Sequence, residues 1–190
     1  MTPAQYKNTN RWDTRTLVTM ALLCALCVLI SFIEFPIIPG VTFLKLDVSI
    51  MVAMVAGFAF GAGPGIVVGV AAAIIHGLIM GDPVGALMNI IVTIAMVWPS
   101  AAVYQRHRTF SGAVAGLILA SVITIVAAIV SNLIIDPTLY GYPFDAVVAL
   151  IPALLVFNLI KAAANSVLTV LVYKSVKNLM TPKKDRVIGR

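Results

Sequence analysis

Residues 146–173 read AVVALIPALLVFNLIKAAANSVLTVLVY. The run is long enough to cross the hydrocarbon core of a bilayer, yet Lys161 stands near its middle, with Asn158 before it and Asn165 after it. About eleven apolar or small residues, at a rise of ~1.5 Å each, separate Lys161 from Tyr173, and the apolar stretch on its N-terminal side is comparable. An ionisable group at mid-bilayer costs about 2.5–3.5 kcal/mol on insertion scales, so it faces a protein interior or a watery cavity and marks a site. Two plainer uses stay open: snorkelling to the interface, and pairing for structural reasons alone. Asn158, Lys161 and Asn165 fall at i, i+3 and i+7, on one face of a helix.

Working outward, the composition places the whole chain in a membrane. Of 190 residues 61% are hydrophobic and 11% charged, against about a quarter charged in soluble domains. Gly and Pro scattered through the apolar runs are tolerated in membrane helices, whereas a barrel needs short alternating strands, which are not seen. The expected fold is an all-α membrane protein forming one transmembrane domain over 1–190. Within it, 1–15 is a cytoplasmic N-terminal segment, 16–173 a six-helix bundle and 174–190 a basic cytoplasmic tail.

The net charge of +6 invites nucleic acid as a partner, but the positions of the charges exclude it. Lys7, Arg11 and Arg15 lie at the start, Arg106 and Arg108 in the middle, and Lys174, Lys177, Lys183, Lys184, Arg186 and Arg190 at the end. Glu34, Asp47, Asp82, Asp136 and Asp145 occupy the intervening segments. That is the positive-inside pattern of a multi-pass protein, not a basic groove.

Apolar runs between turn signals predict spans at 16–35, 47–61, 65–80, 84–104, 112–135 and 146–173, with breaks at 36–40, 63–65, 81–83, 105–111 and 136–145. Six spans put both termini on one side, and the Lys/Arg distribution makes that side cytoplasmic. The first hydrophobic run has no small-residue cleavage site after it and is read as a helix, not a removed signal. Cys24 and Cys27 are expected to be small packing residues. Gly57, Gly61, Gly65 and Gly69 recur at four-residue spacing, which suits close helix packing. No Gly-x-x-x-x-Gly-Lys-Ser/Thr motif occurs, so ATP hydrolysis by that route is excluded.

This topology puts His76, Asn89 and Asn132 in the outer half of their spans, near the level of Asn158 and Lys161. Each alone is weak: an intramembrane Asn is often an interhelical hydrogen bond worth ~0.6 kcal/mol, and His76 is expected to be a satisfied core histidine. No second histidine or close carboxylate gives His76 a metal-ligand spacing, and no metal site is expected. Together, amides and an ammonium suit a planar heterocycle or an anion in an apolar cavity. The outer segments 35–47, FPIIPGVTFLKLD, and 136–145, DPTLYGYPFD, are expected to form lid and walls, with Tyr140, Tyr142 and Phe144 able to stack on a flat ligand. Trp98, near the inner side, fits an interfacial belt.

Three stretches carry a family resemblance: Phe43-Leu-Lys-Leu-Asp47, Asn132 with Pro137 shortly after, and Phe157-Asn-Leu-Ile-Lys161. With the six-helix hydropathy, they make the chain resemble the S-component of an energy-coupling-factor (ECF) vitamin transporter, most like the riboflavin-binding members. The resemblance implies a subunit of a prokaryotic plasma membrane that captures riboflavin outside and joins a transmembrane coupling protein plus two cytoplasmic ATPases. Riboflavin is then transported ligand, no cofactor is expected, and the chain is not an enzyme. The family docks its coupling protein on an Ala-x-x-x-Ala motif of helix 1, which here matches Ala21-Leu-Leu-Cys-Ala25. The loop between helices 1 and 2 gates the family's pocket, and the subunit is thought to topple in the membrane to release its vitamin. By the same resemblance Asn132, Asn158 and Lys161 are flavin contacts, with Leu44, Lys45 and Asp47 of the loop as further candidates. His76 receives no role.

Other functions compete. A buried cation invites an anionic ligand, such as a flavin phosphate or another carboxylated vitamin. An intramembrane enzyme would use Lys161 or His76 in acid–base chemistry, though no nucleophile–base pair at suitable spacing is present. For a purely structural subunit, Lys161→Met should improve stability and leave no ligand phenotype.

Overall fold

The computed structural model describes residues 14–180, with backbone only at 15 and 173–180. The basic flanks expected over 1–15 and 174–190 therefore lie outside the described side chains. The elements are α1 (Thr14–Ser31), a hairpin of β1 (Phe35–Pro36) and β2 (Lys45–Leu46), α2 (Ile50–Phe60), α3 (Ala62–Met80), α4 (Pro83–Arg106), α5 (Phe110–Ile135), a π-helical turn (Asp136–Tyr140), α6 (Phe144–Ala149) and α7 (Ile151–Met180). Four stretches are long and apolar enough to cross a membrane: Ala62–Met80, Pro83–Arg106, Phe110–Tyr140 and Ile151–Val172. Two further apolar helices, Thr16–Ser31 and Ile50–Phe60, are shorter.

Several boundaries depart from the sequence expectation, each for a local reason. The expected sixth span is two helices, because Pro152 has no N–H to bond and its ring clashes with the carbonyl four residues back. The chain breaks at Leu150 and restarts at Ile151. The turn between α2 and α3 is not the expected 63–65 segment but the single residue Gly61, at φ +108°, where a side chain would be strained. Pro64 then sits in the first turn of α3, where a missing N–H costs little. The 136–145 segment is not all loop: the chain of α5 winds on through the π turn to Gly141. All-α also needs correcting at 35–46, where Phe35 pairs with Leu46 and Pro36 with Lys45 in a two-stranded antiparallel hairpin.

α2 is the centre of the bundle, with most of its residues buried. Met54 of α2 and Met96 and Val97 of α4 are fully enclosed, joined by Ala120 and Ala128 of α5 and Ala162 of α7. Glycine sets the α2–α3 distance: a Cβ on Gly65 would lie 2.6 Å from the Gly57 Cα. At the start of α2 the Met51 N–H, which reaches the Val48 carbonyl only at 3.3 Å, is met at 2.8 Å from across the bundle by Asn165 Oδ1. Asp82 and Thr109 cap α4 and α5 by accepting from the N–H of Gly85 and Gly112. Outward, α5 exposes Ile118, Val122, Val126, Val130 and Ile134 at four-residue spacing. Such an apolar stripe needs lipid or a partner, not water. The protein is a multi-pass membrane protein.

The β1–β2 hairpin lies over α7. Val41, Leu44 and Leu46 from the loop pack with Leu154 and Phe157. The hairpin, the Gly81–Asp82 turn and the π turn thus gather at one end of the bundle, around the cavity described next.

Candidate functional site

The polar face of α7 turns inward. Asn158, Lys161 and Asn165 are all buried, and Lys161 is held from two sides: its ammonium donates to Asp47 Oδ2 at 2.8 Å and to Asn89 Oδ1 at 3.1 Å. Asp47 is anchored in turn, its Oδ1 accepting from both the backbone N–H and the hydroxyl of Ser49. Asn165 Nδ2 donates to the carbonyl of Asp47 at 3.2 Å and to that of Lys161 at 3.0 Å. The start of α2 and the middle of α7 are therefore stitched together by one network. With two of its three donors committed, Lys161 keeps one for another partner.

Beside this network lies a cavity of about 320 Å³, within the range of small-molecule pockets. Leu44, Lys45, Asn132, Asn158 and Lys161 all stand on its wall. Asp47 does not; it sits behind Lys161. Asn132 Nδ2 donates to the Ala128 carbonyl and Asn158 Nδ2 to that of Leu154, so each amide retains one N–H and its oxygen. Phe43, Met80, Met88, Val92 and Phe157 supply apolar wall. Tyr140 reaches the cavity, while Tyr142 and Phe144 are exposed away from it.

Sequence reasoning grouped Asn89 with the pocket but passed over three carboxylates on its wall, Glu34, Asp82 and Asp136. Asn89 is the second acceptor for Lys161. Glu34 accepts from Lys45 Nζ at 2.5 Å, tying the two ends of the hairpin. Asp82 and Asp136 complete the wall, Asp82 accepting from the Tyr140 hydroxyl at 3.4 Å. The signal was their rarity among apolar neighbours, the same that exposed Lys161. His76 is not the satisfied core histidine expected: it lines the cavity, and its Nε2 has no hydrogen-bond partner among the described residues and stands 3.7 Å from Glu34 Oε2. Cys27 is a buried packing residue whose thiol donates to the Ser49 carbonyl. On α1, Ala21 and Ala25 are exposed beside Leu22 and Leu29.

A helical membrane bundle that holds a mixed polar and apolar pocket beneath a packed hairpin defines a membrane-embedded binding protein. The family model for the ECF transporter, substrate-specific component, matches residues 15–173, and the chain belongs to that family. The riboflavin transporter RibU of Staphylococcus aureus (strain TCH60) is 30% identical over 179 residues, 90% of this chain and 95% of that protein. The riboflavin transporter FmnP of Bacillus subtilis (strain 168) is 26% identical over 176 residues, 86% of this chain and 92% of that protein. A solved S component of a bacterial ECF transporter superposes with a TM-score of 0.77 at 30% identity, covering 88% of this chain and 98% of that one.

Proposed function

We propose that this chain is the riboflavin-binding subunit of an ATP-driven ECF-type uptake transporter in a prokaryotic plasma membrane. The observation that carries the proposal is the convergence of Asn132, Asn158 and Lys161 with Leu44 and Lys45 of the hairpin on one cavity. A flavin's pyrimidine edge offers carbonyl acceptors and an imide donor. The uncommitted groups of Asn132 and Asn158 and the third donor of Lys161 match that edge, while Phe157, Met88 and Val92 suit its dimethylbenzene end. Riboflavin is cargo on this account, and the chain binds it without turnover.

The remaining parts follow from the family and from the distribution of charge. Six membrane passages, counting the two shorter helices, leave both termini cytoplasmic and the hairpin end outside. The hairpin then covers the pocket from the external face. With no phosphate-cradling loop of its own, the subunit depends on a transmembrane coupling protein and two cytoplasmic ATPases, the former docking on the Ala21 and Ala25 stripe. The experiment is titration of purified chain with riboflavin, read by quenching of flavin fluorescence. Saturable quenching at one site per chain is expected, and its absence sinks the proposal.

A further inference from the structure

Glu34, in the short link between α1 and β1, faces two elements at once. Its Oε1 accepts from Lys45 Nζ on β2 at 2.5 Å, which closes the hairpin on itself. Its Oε2 faces α3, where the buried Nε2 of His76 stands 3.7 Å away with no hydrogen-bond partner among the described residues. That separation is too long for a hydrogen bond, and a buried polar atom left unpaired is costly. Towards α7 the hairpin is held by apolar packing and by the Asp47–Lys161 pair; towards α3 its holding point is this open contact. We propose that Glu34 and His76 form a pH-dependent latch, in which protonation of His76 ties the hairpin to α3 and slows the passage of ligand into and out of the pocket. The inference rests on the riboflavin reading above.

A neutral imidazole has one N–H and one lone pair. With the lone pair on Nε2, the ring meets the Glu34 carboxylate acceptor to acceptor. One proton taken up from water makes Nε2 a charged donor, and an imidazole changes charge between about pH 5 and 8. A charge-assisted N–H···O bond spans about 2.7–2.9 Å, so closing this one draws the two groups together by about an ångström. Because Oε1 of the same carboxylate already holds Lys45, the pull reaches both strands of the hairpin. Phe32, just past α1, packs its ring against that of His76 with centroids 5.1 Å apart. The surroundings can take the added charge. Cys27 of α1 and Asp47, ahead of α2, border with His76 a void of about 20 Å³. Lys45, Asp82 before α4, Asp136 and Tyr140 of the π turn, and Lys161 of α7 share the larger cavity with it. With Glu34, that makes four carboxylates against two ammonium groups, so an imidazolium reduces an excess of negative charge.

The chain holds two histidines. His107 is exposed beyond the C-terminal end of α4, far from the Asp82 end, and riboflavin itself keeps its charge across the imidazole range. Stopped-flow quenching of flavin fluorescence on the purified full chain gives association and dissociation rates from about pH 8 to about pH 5.5. Both rates should fall together as the pH falls, by roughly threefold to tenfold. Their ratio should change less, because the latch obstructs the way in as well as the way out. Both rates should be flat with pH in His76→Gln and in Glu34→Gln, while His107→Gln should follow the unaltered chain. Rates that ignore pH in the unaltered chain would overturn the latch. So would a dissociation rate that slows while association does not, the mark of an imidazolium touching the ligand directly. A pH dependence kept in His76→Gln or Glu34→Gln, or lost in His107→Gln, would overturn it as well. Should one variant fail to fold, the other and the paired rates of the unaltered chain decide. Riboflavin bound with pH-independent rates overturns the latch alone, whereas no quenching at any pH overturns the riboflavin reading and the latch with it.

Discussion

Lys161 and Asp47, 114 residues apart in sequence, meet Nζ to Oδ2 at 2.8 Å with side chains only 7% and 8% exposed. The pair joins the middle of α7 to the segment that leads from the hairpin into α2. Whatever touches Lys161 therefore also touches the support of the hairpin.

Breaking this pair from one side should be destabilising. Lys161→Met strands the Asp47 carboxylate in the bundle, and loss of one partner from a buried pair costs about 3–5 kcal/mol. A purely structural subunit would instead gain stability from Lys161→Met; with Asp47 as its buried partner, the opposite sign is expected. Asp47→Asn should be similarly harmful. The Asp47→Asn/Lys161→Met double variant should recover much of the loss, since neither position then carries a buried charge. Thermal unfolding of the four proteins in one detergent checks this as a double-mutant cycle, and additive losses would show that the two residues are not coupled.

The amides should behave differently, because their internal bonds go to carbonyls one turn back on their own helices. Asn132→Ala and Asn158→Ala should each weaken riboflavin binding by roughly 1–3 kcal/mol, the cost of leaving a polar partner unmet, with a smaller effect on stability. Fluorescence titration beside a melting curve separates the two effects. Unchanged affinity in both variants would remove these amides from the ligand contacts.

How far the site is legible in the sequence depends on the kind of signal. Lys161 and its neighbours on α7 can be read because a charge in an apolar run is rare and helical spacing gives them one face. The identity of Lys161's partners cannot be read that way. Asp47 and Asn89 reach it from two other elements, and periodicity says which face a residue occupies but not which loop folds back onto it. The small hairpin is hidden for a related reason: two residues per strand are too few to alternate visibly. The helix break at Leu150 has its cause in plain sight at Pro152, but the apolar run continues through it, and membrane helices often tolerate proline. The Gly61 turn is masked by a denser Gly-Pro-Gly cluster just beyond it.

Gly65 should tolerate no side chain. Its missing Cβ would stand 2.6 Å from the Gly57 Cα and 2.8 Å from the Ala53 carbonyl oxygen, both backbone atoms that move only if α2 and α3 separate. Gly65→Ala should destabilise the bundle by about 1–3 kcal/mol, as overpacking does, and should lower folded yield and riboflavin binding together. Gly63, with nothing within 4 Å of its Cβ position, is the control. Equal tolerance at the two positions would argue against the close α2–α3 crossing.

Ala21 and Ala25 supply the sharpest separation of binding from transport. They lie on the exposed side of α1, away from the cavity, and small residues one turn apart let a partner helix approach closely. A bulky side chain there, Ala21→Trp or Ala25→Trp, projects outward and meets no neighbour inside the bundle. Riboflavin affinity of the purified variants should match the unaltered protein, while uptake by cells expressing the full transporter should fall to background. Lipid alone against this face would accommodate the larger ring, so normal uptake would mean that α1 is not the docking surface. Parallel loss of binding and uptake would instead indicate damage to the fold, and a melting curve on the same preparation distinguishes that outcome.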